Sequence, residues 1–239
     1  MYKIIILFFT MSLSYGQIKP VDIEIVRDAF GVPHIYGKTD ADTAYGLAWV
    51  HSEDDFMTIQ KAYLAGNQLL SSYLANDGII VDFLTQFIES KKTVDELFST
   101  LSDDFIKILE AYSQGINRYA ELHPEEVLVK NLFPITPKKM LNYSFLQLFI
   151  SNGADQLVSK IISNNTVDLS NLGINDDIQG SNTFAFNNNK TKNGETYLAI
   201  NTHQPLDGPN SWYEVHLNSE EGTNILGATF AGAPCILTG

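Results

Sequence analysis

The sequence changes its periodicity once, and that change narrows the folds open to it. Before about residue 162, apolar residues recur three or four positions apart; from residue 182 they fall into short alternating runs. Between the two regimes, residues 163–180 are rich in Ser, Asn, Asp and Gly, and the stretch runs into Gly180-Ser181-Asn182. Helical spacing followed by strand spacing, with a polar linker between, predicts an α+β fold with helices and antiparallel strands segregated along the chain.

The helical part carries its own start signals. Thr39 or Asp40 is expected to cap a helix bearing Ala44, Leu47, Ala48 and Val50, and the pattern continues over 53–75 through Phe56, Ile59, Tyr63, Leu64, Leu69 and Leu70. Thr93-Val94-Asp95-Glu96 reads as a capping box. Ser102 precedes the clearest stripe, Phe105, Ile106, Leu109, Tyr112, Ile116 and Tyr119. Thr136-Pro137 is a cap with Pro at the first helical position, and its helix is expected to run to about Ile162. Ahead of these helices, residues 21–36 read as two short strands bent at Gly31 and Pro33. Strand candidates behind them are Asn182–Asn187, Thr196–Thr202, Trp212–Leu217 and Ile225–Phe230, expected as one antiparallel sheet. His34 and His216 sit inside strand patterns and read as structural, whereas His51 and His123 read as surface or helix-end residues.

Composition excludes some functions. A chain that is 44% hydrophobic can bury a core, and a formal charge of −13 with Lys-Lys pairs as its longest basic runs argues against nucleic acid. Cys235 is the single cysteine, so there is no internal disulfide and no cysteine metal site; in an apolar run it reads as a small buried hydrophobe. No stretch meets a metal-site spacing, and no metal or other cofactor is expected. Residues 1–16 read as a signal peptide: Lys3, the apolar run Ile4 to Leu13, then Ser14-Tyr15-Gly16. The run is shorter than the ~20 residues a bilayer requires, so no stable membrane span is expected. The mature chain is placed in the periplasm or outside the cell.

Six segments, in order, resemble one family. They are Ile25-Val26-Arg27-Asp28-Ala29-Phe30-Gly31-Val32-Pro33-His34-Ile35; Ala111-Tyr112-Ser113-Gln114-Gly115-Ile116-Asn117; Gly180-Ser181-Asn182; Asn201-Thr202-His203-Gln204-Pro205; Trp212-Tyr213-Glu214-Val215-His216-Leu217; and Gly227-Ala228-Thr229-Phe230-Ala231-Gly232-Ala233-Pro234. Together they resemble the penicillin acylase family of N-terminal nucleophile hydrolases, in the branch of acyl-homoserine-lactone and aculeacin-type acylases. The resemblance implies an αββα sandwich, here incomplete. It implies a first chain at 17–162, a spacer at 163–180 and the start of a second chain at 181–239, the two chains forming a heterodimer once Gly180–Ser181 is cut. It implies a small N-acyl substrate, with Ser181 as nucleophile, His203 beside it, and Asn182 and Asn201 around the site. In some branches calcium is bound by ligands expected outside this fragment. The family's oxyanion donors are likewise expected beyond Gly239, so residues 1–239 alone are expected to be inactive. One departure stands at Asp55, where most relatives carry Arg.

The chemistry explains why a serine would need such a junction. A serine hydroxyl is a weak nucleophile without a base. A chain-terminal serine brings its own, an α-amine of pKa about 7.7–8.0, but only after the bond before it is broken. Glycine at position 180 leaves room for a close, strained approach of the Ser181 hydroxyl to the carbonyl. The competing readings are a secreted helical binding module and an inactive homologue; a new amino terminus at Ser181 separates the enzyme from both.

Overall fold

The computed structural model describes residues 18–152 and 180–239. The predicted export signal and residues 163–179 of the linker lie outside the described residues. In chain order the elements are β1 (Glu24–Arg27), β2 (Pro33–Gly37), α1 (Asp40–Gly66), α2 (Ser71–Leu74), α3 (Asn76–Phe87), α4 (Ser90–Leu97), α5 (Asp103–Leu122), α6 (Pro137–Ser151), β3 (Ser181–Phe186), β4 (Tyr197–Thr202), β5 (Tyr213–Ser219) and β6 (Asn224–Thr229). The α+β class holds, with helices and strands segregated as the periodicity implied.

The long first helix begins where the sequence placed it. Thr39 Oγ1 accepts from the Asp42 amide at 3.1 Å, and the Asp42 carboxylate accepts from the Thr39 amide at 2.9 Å, a reciprocal cap. Asp55 then leaves helical geometry (φ −156°, ψ 62°), and its Oδ1 accepts from the Thr58 amide at 3.1 Å. Asp55 thus starts the second half of α1 as an internal cap. Ser102 and Thr136 also cap as expected, accepting from the Phe105 and Lys139 amides. Three expectations need correction. The run over 53–75 breaks, since α1 ends at Gly66. Thr93 caps nothing: its amide already bonds to the Glu89 carbonyl, inside a helix that begins at Ser90. The helix from Pro137 ends at Ser151, where the Asn152 side chain closes back on the Leu148 carbonyl, and residues 153–162 of the expected helix lie outside the described residues.

The strands do not form one antiparallel sheet. β3 and β4 make a separate hairpin, while the main sheet runs β1-β2-β5-β6 with antiparallel outer pairs and a parallel β2–β5 pair at its centre. A parallel pair requires a crossover between its strands, and here the helices α1–α6 lie within that connection, which periodicity alone could not reveal. On β5, Val215, Leu217 and Ser219 turn inward, and Val215 and Leu217, with Ile35 of β2, join one core with Leu47, Ile59, Tyr63, Tyr112 and Ile116 of the helices. Two further expectations fail. Cys235 is exposed. His51 is buried, at 3% exposure, with its ring stacked on Tyr213 at 4.0 Å.

The surroundings of His51 tie the front of the chain to its back. Arg27 donates to Asp54 at 2.9 Å, to Glu53 at 3.3 Å and to the Gly31 carbonyl at 3.0 Å, while the Tyr213 hydroxyl bonds to Asp54. Burial lowers the His51 pKa to about 4, against the opposing pull of Asp55 and Asp54, and leaves its Nδ1 without a partner.

Two predictions follow from this packing. A Cβ at Gly115 would lie 2.6 Å from the Tyr45 carbonyl oxygen and 2.8 Å from Ala48 Cβ, where α5 crosses α1. Alanine gains about 1 kcal/mol in helix propensity, but overpacking against a fixed backbone carbonyl costs about 1–3 kcal/mol. Gly115→Ala is expected to lower urea stability by about 1 kcal/mol; an unchanged or higher midpoint would show that the helices separate freely. The second concerns pH. Below about 6.5 the unfolded chain protonates His51, whereas the folded chain does not until about pH 4. Stability is therefore fully present above pH 6.5 and falls by about 3 kcal/mol towards pH 4. Denaturation across that window should be steeper in wild type than in His51→Phe by one proton.

Candidate active site

Ser181 opens β3 and is exposed. Gly180 before it has φ +92°, a conformation that a residue with a Cβ rarely adopts. Among the described residues nothing lies within 4 Å of where a Cβ would stand, so it is the backbone angle that favours glycine there. The Ser181 hydroxyl donates to the Gly180 carbonyl oxygen at 2.8 Å. The hydroxyl oxygen is thereby held against the carbonyl group of its own preceding peptide bond.

The hairpin register brings the other candidates close. Ser181 lies opposite Thr202, and Asn182 lies opposite Asn201. His203 follows Thr202 directly and is half-buried. The side-chain amide nitrogens of Asn182 and Asn201 approach His203 Nε2 at 3.0 and 3.1 Å. With two N–H donors turned to it, Nε2 is an acceptor and the ring proton belongs on Nδ1. Three of the four residues expected from the sequence thus form one cluster. Ser181 stands beside it across the strand pair, and no hydrogen bond joins its hydroxyl to His203 among the described residues.

Sequence reasoning missed what holds this hairpin. Trp212 Nε1 donates to Thr202 Oγ1 at 2.6 Å, and the indole stacks on Phe230 with ring centres 4.1 Å apart. Thr202, the residue opposite Ser181, is therefore bound to the main sheet through Trp212. The tryptophan was visible in a strand pattern, but its partner depends on the turn between residues 203 and 212. A groove of about 330 Å³ lined by Ile23, Ile25, Tyr45, Trp49, Arg118 and Leu122 lies between β1, α1 and α5; it includes none of the Ser181 cluster. His123, Glu125 and Glu126 place ligand-type atoms near one another at the end of α5, also apart from Ser181.

Comparison with known proteins gives this geometry a context. The family model for penicillin amidase matches residues 22–239. The chain is 22% identical over 266 residues to the acyl-homoserine lactone acylase PvdQ of Pseudomonas fluorescens, covering 98% of this chain and 34% of that protein. It is 25% identical over 184 residues to the penicillin G acylase of Escherichia coli, covering 72% of this chain and 21% of that one. It thus spans about a third of the length of the former and a fifth of the latter. Among solved structures, the thermostable penicillin G acylase from Alcaligenes faecalis aligns at 17% identity with a TM-score of 0.45, over 63% of this chain and 79% of that chain. Matched by the family model over all but its first 21 residues, the chain belongs to the penicillin amidase family.

Proposed function

We propose that this chain carries the nucleophile of an exported, self-processing amide hydrolase. Its substrate would be an N-acyl compound: an acyl-homoserine lactone, a lipopeptide or a penicillin-type amide. The observation that carries the reading is the contact of the Ser181 hydroxyl with the Gly180 carbonyl, at a glycine whose backbone angle other residues rarely adopt. The similarity to acyl-homoserine lactone and penicillin G acylases supports the reaction class.

The chemistry runs in two stages. First the Ser181 oxygen attacks the Gly180 carbonyl carbon; the C–N bond breaks, the Ser181 nitrogen leaves as a free amine, and water opens the resulting ester. Then that amine, with a pKa near ~8, takes the proton from the same hydroxyl as it attacks a substrate amide. An acyl-enzyme forms, the substrate amine departs with a proton, and water releases the acid. His203, with Nε2 occupied by Asn182 and Asn201, presents its Nδ1 proton and fixes the electrostatics beside the new amine.

Cleavage would leave the two chains in one core. Val215, Leu217 and Ala231 are buried with the first-chain helices, and the Tyr63 hydroxyl of α1 donates to the Gly232 carbonyl at 2.7 Å. These contacts support a heterodimer of first and second chains. The helices cover one face of the main sheet, which accords with one half of an αββα sandwich. The leader-like residues 1–16 support export to the periplasm or beyond. No described helix is long and apolar enough to cross a membrane.

In the product of the whole open reading frame, intact-mass and N-terminal analysis should find a chain beginning at Ser181. Ser181→Ala should abolish the cut. A wild-type protein that stays whole while folded would overturn the proposal. In the processed enzyme, His203→Ala should lower amide hydrolysis by about 100-fold. Residues 17–239 alone are expected to remain uncut and to release no acyl group from N-acyl homoserine lactones; turnover by that fragment would show that the residues given suffice.

A further inference from the structure

The geometry points to a second site: a two-histidine site for a divalent transition-metal ion, formed by His34 and His216 on the outer face of the main sheet. The two residues are 182 positions apart in sequence but directly opposite in the parallel β2–β5 register. Their Nδ1 atoms face each other at 3.0 Å, with ring centres 5.0 Å apart and ring planes at 70°.

His216 Nε2 lies 2.8 Å from Asn224 Oδ1, and His34 Nε2 lies 3.8 Å from Asp28 Oδ2. Asp28 is fixed in that position, because its other oxygen accepts from the Phe30 and Val32 amides at 2.8 and 2.9 Å. The 2.8 Å contact favours the His216 tautomer with its proton on Nε2, which leaves His216 Nδ1 as an acceptor, whereas 3.8 Å is an ion-pair distance and fixes no proton on His34. His216 Nδ1 thus turns a lone pair into the gap, where it accepts either the His34 Nδ1 proton or a cation that displaces that proton and takes both nitrogens. Metal-bound histidines show this pattern: one nitrogen on the ion, the other donating to a carboxylate or carbonyl oxygen. Two nitrogens each about 2.0–2.1 Å from one ion, at near-tetrahedral or square angles, lie roughly 2.8–3.4 Å apart. The observed separation falls inside that span.

The donor set selects the ion. Imidazole pairs suit Cu²⁺, Zn²⁺ and Ni²⁺, with Cu²⁺ the tightest, whereas calcium and magnesium seek oxygen. Both rings are half-buried, with the edge of Tyr36 against His216, so water can complete the coordination. The ion would join β2 to β5. If Gly180–Ser181 is cut as proposed above, it would bridge the two chains; the binding itself requires no cut.

The test uses the chain from residue 17 to 239. Titration with Cu²⁺ should show one ion per chain, with electron paramagnetic resonance hyperfine structure from two imidazole nitrogens. Zn²⁺ should raise the thermal midpoint. His34→Gln and His216→Gln should each weaken binding at least tenfold and remove the two-nitrogen signature. Asn224→Ala removes no ligand and should weaken binding about 10–100-fold while keeping the signature. His123→Gln, at the exposed His123–Glu125–Glu126 cluster, should change nothing. Absence of a two-nitrogen signal in the folded wild type, its survival in His216→Gln, or its loss in His123→Gln would overturn the site and show either a shared proton in the gap or binding elsewhere. Because all of this is read on an uncut chain, its failure would leave the Ser181 proposal standing, and an uncut full-length protein would leave the metal site standing.

Discussion

The parallel pairing of β2 with β5 is the contact on which the remaining arrangement depends. It sets a strand from the start of the chain beside a strand that follows Ser181, in the register His34↔His216 and Ile35↔Leu217. That register sends Ile35, Val215 and Leu217 to the helical side, where they are almost wholly buried. Burial of such side chains is worth about 1.5–3 kcal/mol each. Shifting one strand by a single residue would turn its inward set outward. The sheet is therefore one body built from both sides of the Gly180–Ser181 junction, and cutting that junction need not release either part.

Polar groups reinforce the same joint. The Tyr63 hydroxyl, fully buried in α1, bonds to the Gly232 carbonyl, so a residue of the helical region satisfies a backbone acceptor of the strand region. Gly232 itself sits at φ +79°, and a Cβ there would press on the Tyr63 ring at 2.9 Å. Arg27, Asp54 and Tyr213 form a second tie nearer the surface. The exposed ion pairs within it contribute little individually. Stacked against it, the neutral ring of His51 contributes chiefly by filling the interior.

The sequence made the helices and their caps legible because both depend on neighbours within one turn. Thr39, Ser102 and Thr136 cap where their local pattern says. Thr93 misled because the same four-residue pattern fits the middle of a helix as well as its start, and the left-handed Glu89 that actually precedes α4 carries no sequence mark. Strand existence was legible for the same local reason. Strand partners were not: alternation in β5 is identical whether its neighbour is β4 or β2. The histidines show the limit most clearly. His203 was placed by motif, and its amide neighbours follow from the β3–β4 hairpin register. His34 and His216 read as structural strand residues, and only the crossover brings their nitrogens together. His51 read as a surface residue because a polar side chain in an amphipathic helix is expected to face water, whereas here a Tyr213 ring covers it.

The position of Ser181 outside the core has a physical logic. If Gly180–Ser181 is cut as proposed, a close-packed interior would resist the step, because the required backbone motion would displace many atoms. On a two-stranded hairpin that bond can move. Yet a nucleophile that moves freely would lose the benefit of a fixed geometry, which is worth several kcal/mol of a reaction barrier. The hairpin meets both demands: its faces are exposed, while Thr202, directly across from Ser181, is bound by Trp212 to the sheet that carries the core.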